Sequence, residues 1–503
     1  MQRFHPILTR LLALLLLAGA PTAAQVVAGF DLTRQGNPDR NGLVGNGITD
    51  LLYGSDGVLY AGSGFGLSST ADEGFTWQSA TPSDYGGEGG VSAMAMGPDG
   101  TLWIATAYDT LVEDDQSLQI GGGLRYREPG SSEWVFIPQP LDAREDTVDG
   151  MRPTTTRVQN VTFDIAVQGE QIWITSFGGG VRRSTDRGAT WDVVTTDGRP
   201  FDALGRLNHR GFAAVADTSG GIWIGTVEGV SHSTDGGATW TRFTHTNQER
   251  PISGNWVIGL FHNPWDNSIW ATTLRALGDT EFNALSRTTN GGATWDLRLV
   301  DELSDGTFPR YVGFADSAVY AATEKGVFKS IDNGETWLLI PAIRDNVSGE
   351  GLYTQTFYSV TTSPAVAPNH RLWVGSLDGL ATSANNGFDW TVFRGVVSTR
   401  TDRPDPAVYA YPNPFSPTQG DRPCRFQFDI DSEVLAQVEI YNFGMERVVS
   451  LAAQQVAPDA GSYDRAITWD GRDSNGRMVD NGVYFFRAKV GSEVTWGKIV
   501  IIN

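Results

Sequence analysis

The chain has 503 residues, with 58 aspartates and glutamates against 37 lysines and arginines and a formal charge of −21. A surface this acidic repels phosphate backbones and anionic bilayers, which speaks against nucleic-acid binding. Cys424 is the single cysteine, so an internal disulfide and a thiolate metal cluster are both excluded, and stability rests on the size of the core.

The first residues read MQRFHPILTRLLALLLLAGAPTAAQ: Arg3 and Arg10 precede an apolar run from Leu11 to Leu17, and small residues continue to Ala24. This order predicts a secretory signal peptide over residues 1–24, cut after Ala24. The apolar run is too short to span a bilayer, and no later segment reaches that length. The expectation is a bacterial protein that is secreted or held on the outer cell surface, with no transmembrane segment.

Residues 25–396 carry a repeat. Trp77, Trp191, Trp240, Trp295, Trp337 and Trp390 each close a stretch such as STDRGATW from Ser184 or STDGGATW from Ser233, with Asp72, Asp186, Asp235, Asn290, Asp332 and Asn385 at the acidic position. The gap from Trp77 to Trp191 is about twice the others and holds a degenerate copy, GGGLRYREPGSSEWVFI, around Trp134, so the units number seven. Upstream of each tryptophan lies a second signature: LYAGS at Leu59, LWIAT at Leu102, IWITS at Ile172, IWIGT at Ile222, IWATT at Ile269, VYAAT at Val319 and LWVGS at Leu372. Alternation of apolar and small residues at period two indicates strands, and another short apolar strand precedes each. Four short antiparallel strands per unit make a propeller blade, so the expected fold class is all-β, a seven-bladed β-propeller.

The octapeptide then acts as a fastener. Asp186, Asp235 and Asp332 are expected to accept from amides two residues on, in Asx-type turns. Gly188, Gly237 and Gly334 provide positive φ, and each indole covers the hairpin and its neighbour. A reaction centre is not needed seven times, nor would it tolerate Asn290 and Asn385. These residues resemble the Asp-box, or BNR, repeat of sialidases, oligoxyloglucan-releasing hydrolases, sortilin-type receptors and photosystem assembly factors, over roughly residues 45–395. The resemblance implies the propeller but no particular activity, because the family includes both enzymes and binding proteins.

Residues 397–408 are Pro-rich and read as a linker. Residues 409–503 alternate short strands (RFQFDI, AQVEIYNF, VYFFRAKV, GKIVIIN) with turn clusters such as Asp473-Ser474-Asn475-Gly476, the pattern of a small immunoglobulin-like β-sandwich. YPNPF at Tyr411, VEIYNFGMERVVSL at Val438 and WDGRDSNGRMVDNGVYFFRAKV at Trp469 resemble the hook-capping immunoglobulin-like module and the related C-terminal sorting domain of type IX secretion. That resemblance implies a sorting or attachment domain whose partner is the outer-membrane secretion machinery.

With the Asp-box corners on one face, a ligand is expected on the other, against loops that carry Glu88, Arg157, His209, Arg210, Trp256, Arg310, Tyr311 and Tyr358. Arg157, Arg210 and Arg310 at one rim, with a tyrosine and an acid nearby, follow the logic of sialidase sites. The Arg-Ile-Pro motif of those enzymes is absent, however, and they usually have six blades. Asp114, Asp115, Glu145 and Asp146, in two acid-rich loops, are the carboxylates available to a xyloglucanase-like site, although the related hydrolases close their cleft with two propellers. The histidines show no metal-ligand spacing, and neither a His-Glu-x-x-His nor a Gly-x-Ser-x-Gly motif occurs, so no metal and no cofactor is expected. The expectation is a monomeric binding protein for a glycan or a protein ligand. The alternative is an extracellular glycoside hydrolase, sialidase-like or xyloglucanase-like, acting on the same face.

Overall fold

The computed structural model describes residues 42–111, 117–141, 158–346, 351–352, 354–365, 369–395, 408–418, 423–428, 434–456 and 467–502. The chain divides into two compact units, one of them Asn41–Gly395 and the other including Val396–Asn503. The signal-peptide segment and most of the linker lie outside the described residues.

Among the described residues, Asn41–Gly395 holds seven four-stranded antiparallel sheets, each of four consecutive strands. In the first blade these are Ile48–Tyr53, Leu59–Ser63, Gly66–Thr70 and Gln78–Ala80, here termed strands a to d. The seven a strands touch one another in sequence, and the last, Phe357–Thr362, meets the first. This is a closed β-propeller with the a strands innermost. All seven upstream signatures fall on b strands, which are buried on both faces between neighbouring blades. Their small residues follow from that: a Cβ on Gly62 would lie 2.8 Å from Val91, and one on Gly375 would lie 2.6 Å from Ile48, in each case on the next blade.

The corner between strands c and d departs from the simple Asx turn. Asp186 accepts from the amide of Thr190, four residues on, at 2.8 Å, and from the Thr190 hydroxyl at 2.6 Å. Ser184 donates to Asp186 at 2.8 Å and accepts from the amide of Gly188 at 2.7 Å. The same pattern recurs at Asp72, Asp235 and Asp332. Asn290 and Asn385 keep it by reversing one bond: the Asn385 amide donates to Asp389, which stands where the other blades have threonine. Two successive residues take the left-handed conformation, not one: Arg187 (φ 57°) with Gly188 (φ 84°), and Gly236 (φ 70°) with Gly237 (φ 88°).

The second residue of each pair must be glycine for a further reason: the corner lies against the preceding blade. A Cβ on Gly237 would lie 2.5 Å from the Trp173 ring, and one on Gly334 would lie 2.6 Å from Trp270. The indoles finish the joint. Trp240 stands edge-on to Trp173 with centroids 5.9 Å apart, and Trp295 and Trp77 meet Trp223 and Trp373 in the same way, both at 6.2 Å. Trp191, Trp240, Trp337 and Trp390 donate Nε1–H to the carbonyl of the corner glycine. Each such ring pair adds about 0.5–1.5 kcal/mol beyond area burial.

The degenerate copy is a true blade, Gly90–Met96 to Val135–Ile137, without the corner chemistry. There Trp134 packs against Tyr85 and under Arg127. Among the described residues the ring closes without a shared strand: Trp77 also meets Phe393, Arg371 pairs with Glu73, and Leu43 bridges to Gly395 beside the last d strand.

The tail is a two-sheet sandwich. Val408–Tyr411, Cys424–Phe428 and Ile467–Trp469 form one sheet; Arg447–Ser450, Val434–Tyr441, Gly482–Val490 and Glu493–Ile501 form the other, with Gln454–Val456 also paired to Val434–Tyr441. Cys424, Phe426 and Trp469 from the first meet Val438, Ile440, Phe486 and Ile499 from the second in one core.

Gly237→Ala separates strain from collision when set beside Gly57→Ala, since Gly57 (φ 80°) has nothing within 4 Å of its Cβ position. The Gly57 variant should lose about 1–2 kcal/mol from left-handed strain alone. The Gly237 variant should lose a further 1–3 kcal/mol or so from overpacking, read from chemical denaturation midpoints.

Candidate functional site

In six blades the first residue of the a strand pairs with the last of its b strand, as Ile48 does with Ser63, and in blade two Gly90 pairs with Ala107 inside a longer b strand; the c–d corner follows Thr70 at the opposite end. The channel mouth where the a strands begin is therefore the face away from the corners. Every blade has a β-bulge there, at Thr49, Ser92, Phe163, Phe212, Ile258, Arg310 and Tyr358. A bulge kinks the strand and re-aims side chains, a common device at the rims of barrels and beside binding sites.

The rim has three characters. In blades three to five Phe163 stacks on Phe212 at 5.3 Å, and Phe212 is met by Phe177 at 6.2 Å and by Trp256 at 6.0 Å. On blades one and two the bulges are polar: Thr49 donates to the Val91 carbonyl at 2.9 Å and Ser92 to that of Thr162 at 2.8 Å, each reaching the next blade. In blades six and seven Arg310 lies over the Tyr358 ring, 4.6 Å from its centroid, and pairs with Glu324.

One residue past the bulge stand two carboxylates and a phenol: Asp50, Asp164 and Tyr311. Asp50 accepts from the amides of Leu51 at 2.8 Å and Met94 at 2.9 Å. Asp164 does the same with Ile165 at 2.8 Å and Ala214 at 2.9 Å. Each carboxylate thus ties its own a strand to that of the following blade. Tyr311 stands near Asp50 from blade six. Burial pushes the Asp50 carboxyl up to about 6, and burial together with the negative charge of Asp50 pushes Asp164 up to about 8. Desolvation raises the Tyr311 phenol well above its ordinary value. Both carboxyls therefore hold a proton more tightly than an ordinary aspartate does. All four carboxyl oxygens already accept a main-chain N–H, so the geometry is that of a blade-to-blade clasp more than that of an acid and base reaching for a substrate.

The expected site residues are dispersed among local duties. Arg157 lies outside the described residues, as do Asp114, Asp115, Glu145 and Asp146. Arg210 is buried, donating to the carbonyls of Ala203 at 2.7 Å and Leu204 at 2.9 Å and lying over Phe177, and desolvation holds its guanidinium below the usual range. His209 is buried between the Asp202 amide and the Asp197 carboxylate. These two brace the loop from Asp197 to Arg210. With Arg310 committed to Glu324, the expected rim of substrate-facing arginines does not form among the described residues. Trp256, expected to be open, is only 4% exposed, because its ring fills the wall behind Phe212. Glu88 is exposed and Tyr358 half-buried. Asp50 and Asp164 were not expected, yet both are acids inside an otherwise apolar a strand (ITDLLY, TFDIAVQ), a break in pattern that marks them. Among the described residues no three histidine, cysteine or acidic side chains gather in a way that would hold a metal ion.

Fold and rim together define a single-ring seven-bladed β-propeller that carries a small β-sandwich. No family model matches the chain. A xyloglucanase from a Paenibacillus species is 27% identical over 231 residues, 41% of this chain and 22% of that protein, so the chain spans less than a quarter of that relative. Among solved structures, the GH74 xyloglucanase from Xanthomonas campestris gives a TM-score of 0.51 at 15% identity, covering 91% of this chain and 74% of that one. A GH74 enzyme from Niastella koreensis gives 0.50 at 13% identity, covering 92% and 74%. At such identities the likeness carries the propeller fold alone.

Asp50 and Asp164 set a pH dependence. Both folded values lie above the ordinary 3.8, so their stabilising share is complete below that value. It is lost as pH rises through about 6 for Asp50 and about 8 for Asp164. Asp235 and Asp332, held down to about 2 by hydrogen bonds within their corners, act with the opposite sign in a lower window. Denaturation midpoints should fall from about pH 4 to about pH 8, and Asp164→Asn should flatten the upper half of that decline.

Proposed function

We propose that this is an exported bacterial glycan-binding protein in which the mouth of an Asp-box propeller takes a β-glucan chain of the xyloglucan kind without cleaving it. The observation that carries the reading is how the rim spends its groups. The carboxylates, Arg210, His209 and Arg310 are committed to holding the ring and its loops, while apolar surface is offered around them. Phe65 is 46% exposed, Phe282 38%, Leu277 55% and Leu204 84%, all on loops at this end of the blades. Aromatic faces on such loops suit the apolar faces of sugar rings. The sandwich, by its likeness in motif to sorting modules, would direct export or attachment. Among the described residues no helix is long and apolar enough to cross a membrane.

A second reading, a glycoside hydrolase on the same face, is favoured by the partial match to a xyloglucanase and by two carboxyls whose proton affinities are pushed apart. One experiment separates the two. The purified chain is titrated with xyloglucan oligosaccharides while new reducing ends are measured. Binding without release, weakened about tenfold or more in Phe65→Ala/Phe282→Ala, is the expected outcome. Release of reducing ends that Asp50→Asn or Asp164→Asn abolishes would replace binding with hydrolysis.

A further inference from the structure

The tail sandwich has a sheet face that its own core does not use. Along Val434–Tyr441, Gly482–Val490 and Glu493–Ile501 alternate residues enter the core, and the intervening Glu439, Tyr441, Phe485, Arg487, Trp496 and Lys498 share the other side. The register sets each ring beside a cation: Trp496 opposite Arg487, Phe485 opposite Lys498, Tyr441 opposite Arg447. Tyr441 and Trp496 lie 5.3 Å apart, and Phe443 lies 6.2 Å from Phe485. Trp496 is 48% exposed and Phe443 77%. Lys489 joins them on the same face, opposite Val494, so two of the four lysines in the chain are here.

Among the described residues Glu439 is the one carboxylate at a strand position of this face. Arg447 at 2.9 Å and Arg487 at 2.8 Å both donate to it, and those bonds hold it below the usual carboxylate range. It is therefore ionised and outnumbered. The face is net positive on a chain of net charge −21.

Alternation of flat rings with cations selects the partner. Ring faces stack on the apolar faces of sugars, and the ammonium groups of Lys489 and Lys498 take a carboxylate while Arg447 and Arg487 stay on Glu439. A polyphosphate presents far denser charge than so acidic a chain would tolerate. A lipid surface is better met by an apolar face with cations along its border, whereas these cations sit between the rings. We infer that this face binds an acidic polysaccharide in which uronates are spaced by neutral sugars. The tail thereby holds the protein to such a polymer, independently of what the propeller rim takes.

The test titrates the full chain with hyaluronan, whose uronates alternate with neutral sugars, with dextran as an uncharged control and with phosphatidylglycerol vesicles as the lipid arm. Hyaluronan binding should weaken with salt. It should fall about tenfold or more in Trp496→Ala and in Lys489→Glu/Lys498→Glu; the lysine variant, whose side chains are exposed, should keep the wild-type melting temperature. Phe65→Ala/Phe282→Ala on the propeller should leave it unchanged. Failure to bind hyaluronan, equal binding by the tail variants, equal binding of dextran, or binding to vesicles alone would overturn the inference.

Discussion

The ring depends on one contact made over and over: a corner of strand c and strand d pressed against the preceding blade. A four-stranded sheet cannot bury both faces by itself, so each blade is stable only between neighbours. The corner makes that contact specific. A carboxylate or carboxamide gathers the amide and side chain four residues on, two left-handed residues turn the chain tightly, and the glycine among them leaves room for a neighbouring ring such as Trp173 or Trp270. The indole then closes the joint edge-on. The polar network shapes the turn and apolar packing supplies most of the energy, because the carboxylates at these corners are open to water and their bonds compete with hydration.

On the opposite face the same need to join blades is met with other chemistry. Thr49, Ser92, Asp50 and Asp164 reach from one inner strand to the main chain of the next. Desolvating Asp50 and Asp164 is costly, and their raised proton affinities express that cost. A hydrolase would need at least one such carboxyl to face a sugar oxygen or a water; here their acceptor positions serve neighbouring blades. Apolar loop surface, by contrast, is abundant around the mouth. That imbalance is the ground on which recognition is proposed for the propeller in preference to hydrolysis, and the surface proposed on the sandwich differs from it in chemistry.

Most of the ring was legible from the chain alone. All seven b strands stand where the upstream signatures put them, and even the blade that has lost its corner, around Trp134, was marked by spacing. The tail strands were legible too, since GVYFFRAKV and EVTWGKIVI alternate cleanly. The rim was far less so. His209, Arg210 and Arg310 are residue types that serve recognition or bracing equally well, and the difference lies in whether a carbonyl or carboxylate from elsewhere in the fold meets them. Trp256 was expected in the open because large aromatics before inner strands line channel mouths; Phe212 of the neighbouring blade covers it.

What the sequence determined by itself was the local device and its count, because an octapeptide turn and a period-two strand are set by residues near one another in the chain. Only the tertiary structure decided which polar groups remain available. Met94 claims Asp50 and Ala214 claims Asp164 from the following blade, Glu324 claims Arg310 within its own blade, and Ala203 and Asp197 claim Arg210 and His209 through the fold of one loop. The first two pairings exist only once neighbouring blades pack side by side.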